Sequence, residues 1–307
     1  MNISTQEIIK KIQKASGCTQ AELAQQLNVT QVTLNSWLNG RSEPRTKAIA
    51  KIEILYYSYV GIAEINFETL QATSREALNQ EFNLMQIVKD EELLDELIVQ
   101  FTYNTNSIEG STMTYDVTRE LLIENQPLSN RTLIEQLEAR NHQAAFLWLL
   151  DSSQSKAFDF NPAFLKGLHL RLMNGVRSDA GLYRNHAVRI KGSNTITSNY
   201  VSIPKKLEAL FVQMNRNDID KQEIIAHLAK MHAEFEKIHP FADGNGRVGR
   251  LLLLVLAIKH KVIPPLVIRA KRTAYYSYLE LAQTKEKYSG LEYFIGTSML
   301  EMAKVLK

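Results

Sequence analysis

Apolar residues recur at intervals of three and four along most of this chain, the spacing that places them on one face of an α-helix. The segment from Ile224 to Phe235 shows this clearly, with further apolar residues at Leu228 and Met231. The 307 residues include only 13 glycines and 7 prolines, so few interruptions are expected. The pattern predicts an all-α fold.

Strand-like alternation is concentrated between residues 187 and 203. Val188 and Ile190 precede a turn at Gly192-Ser193-Asn194, and Ile196 and Val201 follow it. Alternating apolar residues on both sides of a glycine-containing turn predict a short β-hairpin. The expected fold is therefore helical with one hairpin.

The first 55 residues predict two short helices joined by a tight turn. Thr19 followed by Glu22 has the form of a capping box, so a helix is expected to begin at Gln20. This helix is expected to end at Leu27, and a second one to run from Gln31 to Asn39 before Gly40. The side chains predicted to face inward are Leu23, Ala24, Leu27, Val32, Leu34, Trp37 and Leu38.

The strings Thr19-Gln-Ala-Glu-Leu-Ala and Val29-Thr-Gln-Val-Thr-Leu, with Trp37 and Gly40, resemble the helix-turn-helix of the Cro/repressor family. This resemblance implies a DNA-binding domain within residues 1–60. Its second helix would present polar side chains to base edges and phosphates, namely Gln31, Thr33, Asn35 and Ser36. A small helical bundle for dimerisation or protein contact is the alternative, and a homodimer is compatible with both.

The charge distribution is compatible with DNA binding. The chain has 36 Lys and Arg against 33 Asp and Glu, and residues 1–60 hold seven of the basic and four of the acidic residues. The net charge of +3 therefore lies within that segment.

Cysteine content and hydropathy bear on the compartment. Cys18 is the only cysteine, which excludes an internal disulfide and a multi-cysteine zinc site. The first 14 residues lack a signal-peptide layout, and the longest apolar run, Leu251 to Ile258, is far shorter than the ~20 residues that span a bilayer. We expect a cytoplasmic protein with no membrane partner.

The strongest chemical signal is the string His239-Pro-Phe-Ala-Asp-Gly-Asn-Gly-Arg-Val-Gly-Arg250, which connects two predicted helices. Gly244 and Gly246 allow backbone N–H groups to approach an anion at the beginning of the second helix. Arg247 and Arg250 are three residues apart, lie on one helix face and are suited to phosphate. The string therefore predicts a phosphate-binding site.

Two further residues of the string are suited to catalysis. Asp243 offers a hard oxygen ligand for magnesium, and His239 can accept the proton of a hydroxyl at neutral pH. The string matches the signature His-x-Phe-x-Asp/Glu-Gly-Asn-Gly-Arg-x-x-Arg of the Fic family at every fixed position. The resemblance implies a protein adenylyltransferase that moves AMP from ATP, with magnesium, to a Ser, Thr or Tyr hydroxyl of a target protein or of itself.

The same resemblance implies a role for each residue. His239 would deprotonate the target hydroxyl, and Asp243 would hold magnesium between the α- and β-phosphates. Asn245 and the glycine amides would hold the phosphate chain, while Arg247 and Arg250 would neutralise its distal end. The two glycines favour AMP transfer over the phosphate transfer of the related Doc group.

The predicted hairpin follows Gly181-Leu-Tyr-Arg184, and together they resemble the flap of Fic proteins. The resemblance implies that the flap covers the site, with Gly192 and Ser193 beside the nucleotide, and pairs its edge with the target backbone. A surface hairpin without function is the alternative.

The segment from Arg269 to Gln283 resembles the part of Fic proteins that closes the adenine pocket. Tyr275 and Tyr276 would then contact the ring, and Gln283 would bond its edge. A helix whose tyrosines simply pack is the alternative.

Thr105-Asn-Ser-Ile-Glu109-Gly110 resembles the inhibitory motif of Fic proteins that restrain themselves. Glu109 would pair with Arg250 and take the charge needed by the γ-phosphate. In some relatives this glutamate instead orients a water molecule that removes AMP from modified proteins, and the sequence leaves both uses open.

The resemblances divide the chain into a helix-turn-helix domain over residues 1–60, a helical linker over 61–90 and a Fic domain over 91–307. The catalytic core is expected at about residues 160–300. A DNA-binding transcription regulator whose Fic domain only senses nucleotide is the alternative from a different class.

Overall fold

The structure is a computed structural model that describes residues 4–126, 128–129, 131–155 and 157–307. Its α-helices are α1 (Thr5–Ser16), α2 (Gln20–Leu27), α3 (Gln31–Leu38), α4 (Thr46–Leu55), α5 (Ile62–Glu64), α6 (Phe67–Leu78), α7 (Leu84–Lys89), α8 (Glu91–Glu109), α9 (Tyr115–Leu122), α10 (Leu133–Ser153), α11 (Pro162–Met173), α12 (Ile203–Met214), α13 (Ile224–Ile238), α14 (Asn245–Lys259), α15 (Arg272–Lys285) and α16 (Ser289–Val305). A π-helical stretch, Tyr56–Gly61, joins α4 to α5. No strand occurs in the described part of the chain, and the all-α prediction is confirmed.

The predicted capping box at the beginning of α2 is present. The Glu22 amide donates to the Thr19 hydroxyl at 3.3 Å, and the Thr19 amide donates to the Glu22 carboxylate at 2.8 Å. α3 begins at Gln31, with Thr30 as its N-cap, and ends at Leu38, one residue before the predicted end.

The prediction that Val32 faces inward is wrong. Leu34, Trp37 and Leu38 are buried, whereas Val32 is 78% exposed. Val32 lies about 200° around the helix from Leu34, because each residue turns the helix by about 100°. Val32 therefore belongs to the same outward face as the predicted DNA-contact residues.

The residues that the structure describes form two hydrophobic cores. The smaller one is built from α1 to α4 and the π-helical stretch, and includes Ile9, Leu34 and Trp37. The larger one spans α6 to α16, and the segment around α6 and α7 contributes Ala77, Leu78 and Ile87 to it. Within the described residues no helix is long and apolar enough to cross a membrane.

The apolar helix α14 forms the centre of the larger core. Its run from Leu251 to Ile258 is buried throughout, and α13, α10, α8 and α11 pack around it. The loop of residues 239–244, which carries most of the predicted chemistry, connects α13 to α14. Its geometry is therefore set by two helices that are themselves tightly packed.

The two cores meet at α15. The rings of Tyr57 and Tyr278 contact edge to face, with centroids 5.9 Å apart. The hydroxyl of Tyr278 also lies over Gly61, where an added Cβ would stand only 2.7 Å from it. Thr273 donates a hydrogen bond of 3.3 Å to Glu53. The smaller core is thus joined to the larger one by direct packing and by a polar contact.

The β-hairpin predicted over residues 187–203 does not form: residues 187–199 are a loop with a turn at Gly192, and a 3-10 helix, Tyr200–Ser202, leads into α12. The Ser198 amide donates to the carbonyl of Lys237 on α13, at 3.1 Å, rather than to the opposite arm. The arms are linked by a side chain, since the Thr197 hydroxyl donates to the Val188 carbonyl at 2.8 Å. The residues of this arm that contact neighbouring helices are the polar Thr195 and Ser198, whereas the apolar Ile196 and Val201 are exposed. We call residues 185–199 the flap loop.

Candidate active site

His239 ends α13 in the left-handed conformation, with φ of 51°. Its Nδ1 lies 3.1 Å from the carbonyl oxygen of Glu236. A carbonyl can only accept, so Nδ1 carries the proton and Nε2 keeps its lone pair. Burial lowers the pKa of His239, against the opposing effect of the Glu236 carbonyl. The neutral ring therefore presents a free base at Nε2.

The loop after His239 is held by side chains from its own sequence and from α11. Asn245 accepts from the Phe241 amide and donates to the Phe241 carbonyl, both at 2.9 Å. The Phe241 ring stacks on His169, with centroids 3.7 Å apart, and His169 Nε2 lies 3.1 Å from the Asp243 carbonyl. The side chain of Asn245 thus shapes the loop from within, and His169 is a site residue that the sequence analysis missed.

The imidazole of His169 has a fixed proton position. The Gly181 amide donates to Nδ1 at 2.8 Å, which leaves Nε2 as the donor to Asp243. Burial lowers the pKa of His169 to about 4. This neutral ring joins the loop to the segment that precedes Arg184.

Gly244 and Gly246 are required by the close approach of other side chains. Gly244 has φ of 76°, and a Cβ there would lie 2.8 Å from the sulfur of Met173. A Cβ on Gly246 would collide with Oε1 of Glu109 and stand 3.1 Å from Nη1 of Arg250. Since Gly246 lies in the first turn of α14, whose amides point out of the helix, the Glu109 carboxylate lies in front of a helix N-terminus, where amides and dipole favour negative charge.

Arg250 is buried and bonded to α8. Its Nη2 donates to Oε1 of Glu109, and its Nε donates to the Thr105 hydroxyl at 2.6 Å. Burial by itself lowers the pKa of Arg250, but the Glu109 carboxylate raises it well above its ordinary value. The structure therefore brings Glu109 and Arg250 together, and this contact leaves the guanidinium bound to protein groups.

Arg247 is also paired. Its Nη1 donates to Glu138 on α10 at 2.6 Å, and the Arg247 side chain is 6% exposed. Glu138 lies far from the string in sequence, which is why the sequence analysis missed it. Both arginines predicted to bind phosphate thus have carboxylate partners from other helices.

The flap loop is attached to α15 through Glu280. Ser193 donates to Oε2 of Glu280 at 2.8 Å, and the Asn194 side chain donates to Oε1 at 2.8 Å. Gly192 forms the exposed turn beside them. Glu280 was not predicted as a site residue, and its bond to Ser193 directs that side chain towards α15.

Of the three residues predicted to line an adenine pocket, two are buried in the core and one is partly exposed. Tyr275 is 1% exposed, and its hydroxyl bonds to His232 at 2.7 Å, so it packs in the core. Gln283 is also buried; it accepts from Thr195 at 2.8 Å and donates to the Ala233 carbonyl at 3.2 Å. Tyr276 is partly exposed, and its pKa is raised by burial and then by the charge of Glu109. Tyr276 is therefore the tyrosine of this pair that faces the site.

Replacing Tyr275 by phenylalanine is expected to lower the free energy of unfolding by about 1 kcal/mol, because the bond to His232 is lost in the core. The affinity for ATP should stay unchanged, since Tyr275 is buried and its hydroxyl is bonded to His232. Denaturant unfolding and calorimetric ATP titration measure the two effects, with Tyr276→Phe as the matched control. A weaker ATP affinity at unchanged stability would contradict this assignment.

Asp243 is exposed at the mouth of the site, and its Oδ1 accepts from the Gly244 amide at 2.7 Å. The structure shows no group of three or more His, Cys, Asp or Glu side chains suited to a metal ion in the residues that it describes. A single carboxylate fits magnesium when phosphate oxygens and water supply the other ligands. The residues present are thus compatible with a metal that arrives with a nucleotide.

The predicted DNA-contact residues lie on the outer side of α3. Gln31 is exposed, and Thr33, Asn35 and Ser36 are partly exposed. Thr33 bonds to Thr30 at 2.9 Å and Ser36 to Ser42 at 2.7 Å, so both hydroxyls take part in local bonds. Gln31 and Asn35 are the side chains of the predicted set best placed to meet a partner.

Comparison with known families agrees with this arrangement. The Fic/DOC family profile matches residues 159–257, and a helix-turn-helix profile matches residues 9–56. The chain therefore contains a Fic domain and an N-terminal helix-turn-helix domain.

Among curated proteins it is similar to the protein adenylyltransferase Fic of Nematostella vectensis, at 29% identity over 198 residues, and to that of Drosophila erecta, at 27% over 188 residues. These alignments cover 62% and 61% of this chain but only 44% and 37% of the relatives. The chain therefore spans less than half the length of these relatives.

Solved structures share the fold. A segment of Fic-1 from C. elegans, which carries one glutamate-to-glycine substitution, superposes with a TM-score of 0.67 at 20% identity and covers 100% of this chain and 87% of that one. A Fic-domain signalling protein of Bacteroides thetaiotaomicron gives a TM-score of 0.63 at 18% identity, over 77% of this chain and 94% of its own.

Proposed function

We propose that this protein transfers AMP from ATP to a hydroxyl side chain of a protein. One observation carries the proposal: His239, with Nε2 unprotonated, lies at the start of the loop that leads into the glycine-rich N-terminus of α14. The same helix carries Arg250, which is paired with Glu109. Such an arrangement supplies a base and an anion site in one place. The names of the curated relatives point to the same reaction.

The reaction follows from the chemistry of these residues. The target oxygen attacks the α-phosphorus of ATP, the bond from that phosphorus to the bridging oxygen breaks, and pyrophosphate leaves. His239 takes the hydroxyl proton at Nε2 as the new bond forms. The first-turn amides of α14 and the guanidinium of Arg250 stabilise the phosphate charge.

Asp243 would hold magnesium together with the phosphates, because it is an exposed carboxylate at the mouth of this site. The ion would supply positive charge for the leaving pyrophosphate. The bond from His169 to the Asp243 carbonyl fixes the main chain from which this carboxylate projects.

We also propose that Glu109 inhibits the transfer. Its carboxylate occupies the space in front of Gly246 and binds Arg250, so the distal phosphates of ATP lose the partner that would align them. A misplaced α-phosphate lowers the rate even when ATP still binds.

We place the activity in the cytoplasm, where ATP is available and where the single Cys18 stays reduced.

Mass spectrometry of the Glu109→Gly protein, mixed with ATP and cell lysate, tests the proposal. A peptide that gains one AMP on Ser, Thr or Tyr identifies the reaction and the target together, and His239→Ala in the same background is the control. The absence of any AMP-modified peptide, including those of the protein itself, would oppose the transferase.

Removal of AMP is the second candidate, because the Glu109 side chain remains 33% exposed at the site and can orient a water molecule. The AMP-modified target from the first experiment decides between the two. Loss of AMP with the parent protein but not with Glu109→Gly supports the hydrolase, and loss with neither excludes it.

We further propose that the helix-turn-helix domain binds DNA through α3. Gln31 and Asn35 offer amide groups that suit adenine, and the exposed Val32 offers an apolar contact for a thymine methyl group. The number of chains bound per DNA fragment would also show whether a single chain or a homodimer occupies the DNA site.

Gln31→Ala is expected to weaken DNA binding by about 1–3 kcal/mol, because its amide would contact a base. Fluorescence anisotropy with fragments of the region upstream of the protein's own coding sequence measures this, at low and at raised salt. Gln213→Ala, on the exposed side of α12, is the matched control. If the parent protein binds none of these fragments at low salt, the DNA proposal fails while the transferase proposal stands.

A further inference from the structure

Arg184 lies between the flap loop and the catalytic loop. It is buried, with 5% of its surface exposed, although it carries a charge. Its Nε donates to the carbonyl of His239 at 2.7 Å, and its Nη2 lies 3.3 Å from the carbonyl of Ile238. These bonds hold the main chain at the end of α13, where His239 adopts its left-handed conformation.

The same guanidinium holds both ends of the flap loop. Nη1 donates to the carbonyl of His186 at 2.7 Å, and Nη2 donates to the carbonyl of Ser198 at 2.5 Å. The Arg184 amide also donates to the Pro240 carbonyl at 2.9 Å. One side chain therefore joins the beginning and the end of the flap loop to the residue that is proposed to act as base.

The flap loop depends on such anchors because it forms no strand ladder of its own. Its tip is fixed by Glu280 and its base by Arg184, whereas Ile196 between them is 86% exposed. A partner that contacts Ile196 therefore binds to a loop that Arg184 connects to His239 by hydrogen bonds.

We infer that Arg184 is a positioning residue that transmits the arrangement of the flap loop to the catalytic histidine. A target seated against the flap loop would thereby set the direction of Nε2 at the moment of proton transfer. The inference deepens the proposed function and rests on it, because it takes His239 as the base.

The charges around the imidazole give the inference a second readout. Arg184 faces the ring from the flap side, Glu236 from α13, Glu109 from α8 and Asp243 from the loop itself. Burial lowers the pKa of His239, and the hydrogen bond to the Glu236 carbonyl opposes this effect. The charge of Arg184 lowers the pKa further, while the charges of Glu109 and Asp243 raise it. Removal of the Arg184 charge should therefore raise the pKa of His239.

Two substitutions separate charge from geometry, both in the Glu109→Gly background. Arg184→Gln removes the charge and most of the bonds. Arg184→Lys keeps the charge, but its ammonium has three donors and cannot span carbonyls on both sides. We expect kcat to fall about 10- to 100-fold in both variants, with the KM for ATP nearly unchanged.

NMR titration of labelled histidines measures the pKa of His239, with the resonance assigned by His239→Ala. A rise in Arg184→Gln and a pKa close to the parent in Arg184→Lys are expected. Arg216→Gln, which removes an exposed arginine paired with Asp218, is the control and should change neither kcat nor pKa.

Unchanged kcat in both variants, or an unchanged His239 pKa in folded Arg184→Gln, overturns the inference. If Arg184→Gln unfolds, Arg184→Lys decides: lower kcat at the same KM for ATP supports the inference, and equal kcat opposes it. A parent that transfers no AMP refutes the proposed function instead, while the NMR titration still tests whether Arg184 acts on the imidazole.

Discussion

Alanine in place of His239 is expected to lower the rate of AMP transfer by about 10²- to 10⁴-fold, the usual contribution of a general base. The imidazole has a free lone pair beside the anion site, because Nδ1 donates to the Glu236 carbonyl. Single-turnover transfer of radiolabelled AMP to an identified target, in the Glu109→Gly background, measures the loss.

The affinity for ATP shows whether His239→Ala disturbs the rest of the site. His239 contacts α13 through its main chain, with the amide bonded to the Phe235 carbonyl at 3.0 Å, and alanine retains that bond. The variant should therefore bind ATP as tightly as its parent by calorimetry. Undiminished transfer by this variant would remove His239 from the mechanism.

The pH dependence follows from the same residue. Protonation of His239 abolishes the base, so the rate should fall as the pH decreases through its pKa. Because burial holds that pKa below 6.5, the acidic limb should lie below the ordinary histidine range. A pH profile of kcat/KM in the Glu109→Gly protein checks the position of the limb.

Removal of the Glu109 side chain is expected to raise the transfer rate about 100-fold, the effect of restoring a misaligned reacting group. The carboxylate blocks the approach to Gly246 and holds Nη2 of Arg250. Its loss frees both for phosphate. Initial rates of Glu109→Gly and of the parent at saturating ATP measure the gain.

Glu109→Ala is the matched variant for this prediction, since glycine near the end of α8 also loosens the helix. Equal activation in both variants assigns the effect to the lost carboxylate. Thr105→Val should activate less, because it removes one bond to Arg250 and leaves the ion pair. Variants of Glu109 that are no faster than the parent would contradict the inhibitory role.

Local patterns are sufficient to predict the all-α class and the positions of several helices. The capping box of Thr19 and Glu22, and the apolar run of Leu251 to Ile258, are signals contained in a few adjacent residues. The hairpin that does not form shows the limit of such signals. Residues 187–203 do alternate, but this segment is held by the bonds of Ser198 to α13 and of Thr195 to α15, which no local pattern reveals.

The site divides in a similar way. The pair formed by Glu109 and Arg250 can be predicted because both residues belong to recognisable strings. Glu138, His169 and Glu280 stand alone in sequence and acquire their contacts only through packing between distant segments. A long-range partner of this kind has no sequence spacing that would identify it.

The sequence predicts that Asn245 belongs to the site, but it does not predict which group the Asn245 side chain binds. The side-chain amide of an asparagine can meet a phosphate or close a loop, and here Asn245 closes the loop through Phe241. The burial of this side chain, at 2% exposure, distinguishes the two uses, and burial depends on the packing of the whole domain.

The contact of Gly61 with Tyr278 has a consequence for a molecule bound to DNA in the way proposed for α3. Because the Tyr278 hydroxyl packs against the main chain at Gly61, a rotation of the helix-turn-helix domain relative to the Fic domain would break this contact. A molecule bound to DNA with this contact intact would hold its active site at one orientation relative to the duplex. Target proteins would then reach the active site from one side of the DNA only.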